Sequence, residues 1–147
     1  MLQKISALWN SIRPSSSSLS RAEQGRVEEA LSQLVLASPD VVRATLVSVD
    51  GLAVASFPRQ SIDSDRISAM GAAMLSLGER ICHELCSGQL RYAIIAGDKT
   101  MQLLVVLNQA CALELELRPN VSIDAALERI VSQTARVLEA LGGSLRL

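Results

Sequence analysis

Apolar residues recur along the chain with two periods, and these predict its secondary structure. The 3.6-residue period predicts helices, and the two-residue period predicts strands. In chain order we expect a helix over 20–38, strands at 41–48 and 52–56, a helix at 63–87, strands at 90–96, 101–107 and 111–117, and a helix over 123–141. The order αββαβββα, with short loops between the last three strands, predicts an antiparallel meander.

Polar residues and glycines mark the ends of these helices. Ser20 and Glu23 are spaced as a capping box, in which each side chain bonds the backbone amide of the other. Pro39 stops the first helix, because the residue before a proline is pushed out of helical geometry. Asp63 or Ser64 is expected to cap the second helix, and Gly88 to end it.

The stretch 48–56 reads SVDGLAVAS, and its Asp50-Gly51 pair has two possible uses. Asp-Gly is typical of a tight hairpin, whereas a glycine loop that binds phosphate leads from a strand into a helix. Here the pair joins two strands, and the chain has no GxxxxGK[ST] or GxGxxG string. We therefore predict a hairpin turn.

The first 19 residues form a segment distinct from the domain that we expect over 20–147. Its apolar residues fall at helical spacing, and Pro14 and four serines follow them. The proposed docking residues are Leu2, Ile5, Leu8, Trp9 and Ile12. Three interpretations stay open: docking into a hydrophobic groove of this domain or of a partner, weak peripheral contact with a membrane, and a disordered tail.

Charge and composition exclude several classes of protein. The 147 residues carry a formal net charge of −1, so no concentrated positive field is available for nucleic acid. The longest apolar runs fall far short of the roughly 20 residues that cross a bilayer. We find no leader peptide and expect a cytoplasmic protein, in which the 3 cysteines are free thiols.

Three strings in this order resemble a known family: SVDGLAVAS, the small-residue run AMGAAM at 69–74, and Glu84-Leu85 followed by Gly88 and a strand. Together with the element order they resemble the Roadblock/LC7 domain of bacteria and archaea, over about 20–142. The resemblance implies an α+β, profilin-like fold, with a five-stranded antiparallel sheet between one helix and two. It also implies a homodimer, or a heterodimer with a second Roadblock protein, that binds a small Ras-like GTPase as an activator or a scaffold. We expect no cofactor.

The second helix carries a candidate dimer seam. Spacings of 4, 3, 4, 3 and 4 residues join Ile67, Gly71, Met74, Gly78, Ile81 and Leu85. Glycines inside a helix are unfavourable by about 1 kcal/mol each, which indicates close approach of another backbone or of this chain's own sheet. The residues leave both readings open, and the resemblance favours a dimer. The strand at 90–96 is expected at the sheet edge, where Tyr92 and Ile94 would join the interface.

Two glutamates on the last strand alternate with its leucines. Two helices can cover one face of a five-stranded sheet, but a single helix cannot cover the other face completely. We therefore expect Glu114 and Glu116 to lie on the face of the second helix. They would form a partly open acidic platform for a basic patch on a partner; solvated glutamates are the alternative.

No catalytic or metal-binding residue is predicted. Cys82, His83 and Cys86 do not converge as zinc ligands, because His83 points about 100° away from Cys82 on the helix. We expect an exposed histidine and a protein that is not an enzyme. The rival prediction is a small-molecule sensor or a signalling scaffold without a GTPase partner.

Overall fold

A computed structural model describes residues 19–59 and 64–142. The N-terminal docking residues and Asp63 lie outside the described residues, so the structure does not bear on them. The helices are α1 (Arg21–Ala37), α2 (Ser64–Glu84) and α3 (Ile123–Ala140), and the strands are β1 (Val41–Ser48), β2 (Ala53–Phe57), β3 (Tyr92–Ala96), β4 (Met101–Val106) and β5 (Cys111–Leu117). This confirms the order αββαβββα.

The strands form one sheet in the order β2-β1-β5-β4-β3, with every neighbouring pair antiparallel. The edge strands are therefore β2 and β3, and the expected position of β3 is confirmed. β5 lies at the centre and pairs with β1 and β4 along its length. Its leucines at 113, 115 and 117 are fully buried in the main core.

The main core lies between the sheet and the two helices α1 and α3. Fully buried side chains of α1 (Val27, Leu31) and of α3 (Ile130, Val137) belong to the same apolar cluster as the central strands. Ser20 accepts from the Glu23 amide, and Glu23 accepts from the Ser20 amide, so the predicted capping box is present. Within the described residues, α2 alone covers the opposite face of the sheet.

The turn between β1 and β2 differs in detail from a two-residue hairpin. Only Gly51 has a positive φ, of 82°, and its amide donates to the Ser48 carbonyl. The register between β1 and β2 shifts at Leu46 and Val47. A turn that ends in a left-handed glycine beside a bulge is the usual geometry of a three-residue loop. The hairpin prediction holds, with one residue more in the loop.

Helix α2 ends earlier than the position of Gly88 predicts. Cys86 adopts a positive φ of 52°. The Ser87 amide donates to the Cys82 carbonyl, and the Cys86 amide donates to the His83 carbonyl. This is a Schellman motif with cysteine in the position that glycine usually occupies. Gly88 also has a positive φ, of 87°, but it lies in the connection to β3.

Candidate functional site

Helix α2 turns its small residues toward its own sheet. Ser68 and Gly71 are buried, and Ala72 and Gly78 are partly buried. The β1–β2 turn also lies against this side, since a Cβ on Gly51 would come within 3.0 Å of the Ala69 Cα atom. Small side chains permit close approach between the helix and the sheet, which increases the dispersion contacts between their backbones.

Five large apolar residues of α2, together with Leu85 just after its end, are exposed, whereas Leu75 is partly buried. The exposed residues have relative exposures from 37% to 70%. We call this set the α2 stripe: Ile67, Met70, Met74, Leu77, Ile81 and Leu85. Exposed large apolar side chains along one helix form a candidate interaction surface.

The two glycines of the predicted seam do not belong to this stripe. A Cβ on Gly71 would lie 2.7 Å from Glu114 Oε2, and a Cβ on Gly78 would lie 2.9 Å from Leu90 Cδ2. Both glycines therefore accommodate side chains of their own chain, which agrees with the alternative that the sequence left open. Met70 and Leu77 occupy the outward positions instead, at spacings of 3 and 4 residues that the sequence also displays.

The edge strand β3 continues the apolar surface but divides it between two faces. Directly paired residues of antiparallel strands project to the same face. Tyr92 and Ile94 pair with Val105 and Leu103 of the main core, so they lie on the side of α1 and α3. Ile95 pairs with Gln102 and lies on the side of α2. The sequence prediction did not include Ile95, although it is the most exposed of the three.

Glu114 and Glu116 lie on the α2 side of the sheet, as expected, but they do not form an open platform. Only 7% of Glu114 is exposed, because Gly71 covers it from above and Leu104 flanks it on β4. Glu116 is half-buried, and its Oε2 atom lies 3.7 Å from Arg43 Nε. Glu114 is thus neither part of an accessible acidic platform nor a solvated glutamate. The sequence pattern missed its burial because alternation assigns a face without saying what covers it.

A cavity of about 170 Å³ lies beside Glu114, beneath the N-terminal half of α2. Its lining residues are Arg43, Thr45, Ile67, Gln102, Glu114 and Glu116. Within the described residues, Glu114 Oε2 and Arg43 Nε are buried atoms without a hydrogen-bond partner. Burial raises the pKa of Glu114 to about 7.

A second cavity, of about 230 Å³, lies between the C-terminal half of α2 and the ends of β1, β4 and β5. Burial raises the pKa of Glu79 in its wall. The thiol of Cys111, also in this wall, donates to Asn108 Oδ1 at 3.3 Å, and burial raises its pKa to about 12. That thiol is unreactive at neutral pH, because the nucleophile is the thiolate.

The remaining candidates from the sequence stay apart. His83 and Cys86 are exposed, which agrees with the prediction for His83, and Cys82 is partly buried. Among residues 19–59 and 64–142, no three histidine, cysteine or acidic side chains converge in a geometry that holds a metal ion. No helix in the described part of the chain is long and apolar enough to span a membrane.

Replacing Glu114 with glutamine is expected to change how stability depends on pH. The folded protein holds the Glu114 proton more tightly than the unfolded chain does, since the pKa rises from 4.5 to about 7. This contribution to the free energy of unfolding is fully present below the unfolded pKa and is lost as pH rises through about 7. In E114Q we expect a flatter stability profile, and higher stability than the wild type at about pH 8, measured by urea unfolding. Identical profiles for both proteins would contradict the burial of an ionisable Glu114.

Comparisons with known proteins identify the family and the fold of this chain. The family profile described as Roadblock/LC7 domain matches residues 27–112. A Roadblock/LC7 domain from Streptomyces avermitilis superposes with a TM-score of 0.70 at 19% identity, over 78% of this chain and 96% of that one. MglB from Myxococcus xanthus gives a TM-score of 0.74 at 12% identity, over 88% of this chain and 97% of that one.

Profilin from Schizosaccharomyces pombe is a more distant likeness, with a TM-score of 0.55 at 13% identity over 76% of this chain and 96% of that one. At these identities the superpositions show the fold alone, and they confirm the profilin-like architecture. No curated protein sequence matches the chain. The family profile covers more than half of the chain, so the protein belongs to the Roadblock/LC7 domain family.

Proposed function

We propose that this protein is a dimeric, non-enzymatic regulator or adaptor, which binds a small Ras-like GTPase and modulates its nucleotide cycle or its localisation. The observation that carries the proposal is the α2 stripe, whose large apolar side chains face away from the core of their own chain. Family membership supports the regulatory role, and a GTPase partner is what the family resemblance implies.

The stripe fits a second copy of the chain or a second Roadblock protein. Two antiparallel α2 helices related by a twofold axis would bury Ile67, Met74, Ile81 and their neighbours against each other, which is the self-complementary contact of an isologous dimer. Edge strand β3 lies beside α2, and pairing with its twin would satisfy its free backbone groups and cover Tyr92 and Ile94.

Glu116 is the acidic residue on this face that remains within reach of a partner. It lies half-buried in the cavity wall beside Arg43, while Glu114 is enclosed behind it. We propose that Glu116 contacts a basic patch on the GTPase. Charge pairs at the rim of an interface affect the association rate and the specificity more than the affinity.

The dimer is tested by placing a charge on the stripe. Leu77→Glu puts a carboxylate in the middle of the proposed interface, so we expect the mass in solution to fall from two chains to one in light scattering. Leu36→Glu is the matched control, because Leu36 is 77% exposed on α1, away from α2. A dimer that survives Leu77→Glu would show that α2 is not the seam. Variants of Gly71 and Gly78 do not test the seam, because both residues lie against side chains of their own chain.

The partner is tested with purified Ras-like GTPases encoded in the same genome. Each is loaded with GDP or with a non-hydrolysable GTP analogue, and binding is measured by calorimetry. We expect one GTPase to bind in one nucleotide state at least tenfold more tightly than in the other, a difference of about 1.4 kcal/mol, and GTP hydrolysis assays then separate an activator from a tether. A well-folded dimer that binds none of them in either state would favour the sensor or scaffold alternative.

The N-terminal segment is proposed to dock into an apolar groove. Trp9 is the single tryptophan of the chain, so its fluorescence reports on this segment alone. In the full-length protein we expect emission blue-shifted from that of free tryptophan, and a red shift on Leu8→Ser if docking holds the segment. A blue shift that needs anionic lipid vesicles would indicate a membrane contact instead, and a solvent-like spectrum in both conditions would indicate a disordered tail.

A further inference from the structure

The carboxylate of Glu114 is the buried polar group of this domain that most requires an explanation. It is 93% removed from solvent, since its relative exposure is 7%, and its Oε2 atom has no hydrogen-bond partner among the described residues. Buried polar groups in native proteins nearly always have a partner, and a buried charge without one is unfavourable. A carboxylate in this position therefore indicates either a bound proton or a bound ligand.

The residues around Glu114 leave space for its carboxylate and enclose it. Gly71 leaves the space that the carboxylate occupies, because a Cβ at that position would lie 2.7 Å from Oε2. The same position would bring a Cβ within 3.3 Å of Leu104 Cδ2, so Leu104 closes the other side. Glycine is unfavourable in the middle of a helix, but here the absence of a side chain leaves room for the Glu114 carboxylate.

Among the residues that the structure describes, the charges around Glu114 leave it uncompensated. β1 contributes Arg43, which lies 3.7 Å from Glu116 Oε2, and no ion pair joins it to Glu114 in the described residues. β5 contributes Glu116, whereas α2 and β4 contribute only the uncharged Ile67, Gly71, Gln102 and Leu104. With both glutamates ionised, the two carboxylates and one guanidinium leave this group with one negative charge. A single positive charge would neutralise it.

The adjoining space suits a small polar group. The cavity holds about 170 Å³, and its polar lining consists of Glu114, Glu116, Gln102, Thr45 and Arg43. Arg43 lies 3.7 Å from Glu116 Oε2 and offsets one of the two carboxylates. An ammonium or guanidinium group presents several N–H donors and no acceptor, which matches the acceptor oxygens that remain in this wall. Ile67 at the wall supplies an apolar contact for the carbon chain that carries such a group.

We infer that this cavity, which we call the Glu114 cavity, binds the cationic end of an organic ligand, an ammonium or a guanidinium group, through Glu114 and Glu116. The pKa of about 7 supports this reading, because ionising Glu114 is unfavourable without a cation but is within reach near neutral pH. Where the cation is a lysine or arginine of a protein partner, the inference rests on the proposed function. The chemistry of the cavity itself does not require that partner.

The test is a titration of the full-length, ¹⁵N-labelled protein followed by NMR, with no GTPase present. The probes are n-butylammonium chloride and methylguanidinium chloride, and the controls are the neutral methylurea and sodium chloride at equal ionic strength. We expect saturable shifts at the amides of Gly71, Gln102 and Glu114 with one or both cations, and no saturable shifts with either control. Because Glu114 must be ionised, affinity is expected to rise roughly tenfold from about pH 6 to about pH 8.

Two variants complete the test. E114Q keeps the shape of the side chain and removes its charge, so it should abolish the saturable shifts while retaining a dispersed spectrum. E79Q is the matched control, since Glu79 is also on α2 but lines the other cavity, and its titration should match that of the wild type. The pH dependence of the wild type provides an independent readout if E114Q does not fold.

Each outcome decides the inference. No saturable shift at about pH 8, equal shifts in E114Q, or equal binding of methylurea would overturn it. Binding of a free cation with a dissociation constant below about 10 μM would identify a free amine or guanidine as the ligand, and would support the sensor alternative. Saturable binding only in the millimolar range would support the inference and would agree with a cation that arrives on a larger partner, for which the head group supplies a fraction of the affinity. Because the titration contains no GTPase, its failure is distinct from failure of the proposed function.

Discussion

In the described part of the chain, a single helix, α2, has one whole face of a five-stranded sheet to cover. A helix is about 10 Å wide, whereas five strands at about 4.8 Å spacing span roughly 20 Å. On the opposite face α1 and α3 share the task, and the core there is apolar and closed. Beneath α2 the strands carry Arg43, Thr45, Gln102 and the two glutamates, because part of that face remains close to water. The polar composition of this face follows from incomplete coverage.

The way α2 meets the sheet determines where the interaction surface lies. Its small residues, Ser68, Gly71 and Ala72 among them, approach the strands, so the side chains of the α2 stripe are left on the outside. This is the reverse of an ordinary amphipathic surface helix, which directs its large apolar residues inward. The α2 stripe is therefore the surface on which the proposed dimer contact depends. Edge strand β3 lies on the same flank, and among the described residues its outer backbone groups have no partner strand.

Gly71 connects the packing of the helix to the chemistry of the sheet. The residue lets α2 approach the strands, and the space of its missing side chain holds the carboxylate of Glu114. Burial then raises the pKa of Glu114 toward neutrality, and the cavity next to it opens between Ile67 and the charged pair of Arg43 and Glu116. A substitution at Gly71 would therefore alter helix packing, the ionisation of Glu114 and the cavity together. None of these three effects can be changed independently at that position.

The order of elements, the capping box at Ser20 and the bounds of β1 and β5 follow from the sequence alone, because they depend on residues a few positions apart. The family resemblance rests on the same local strings. The orientation of α2 does not follow in this way. Its sequence contains two heptad stripes, one through Gly71 and Gly78 and one through Met70 and Leu77, and periodicity favours neither. Only the packing of α2 on the sheet decides that the glycines face inward and that Glu114 is enclosed, because both outcomes depend on contacts between residues far apart in the chain.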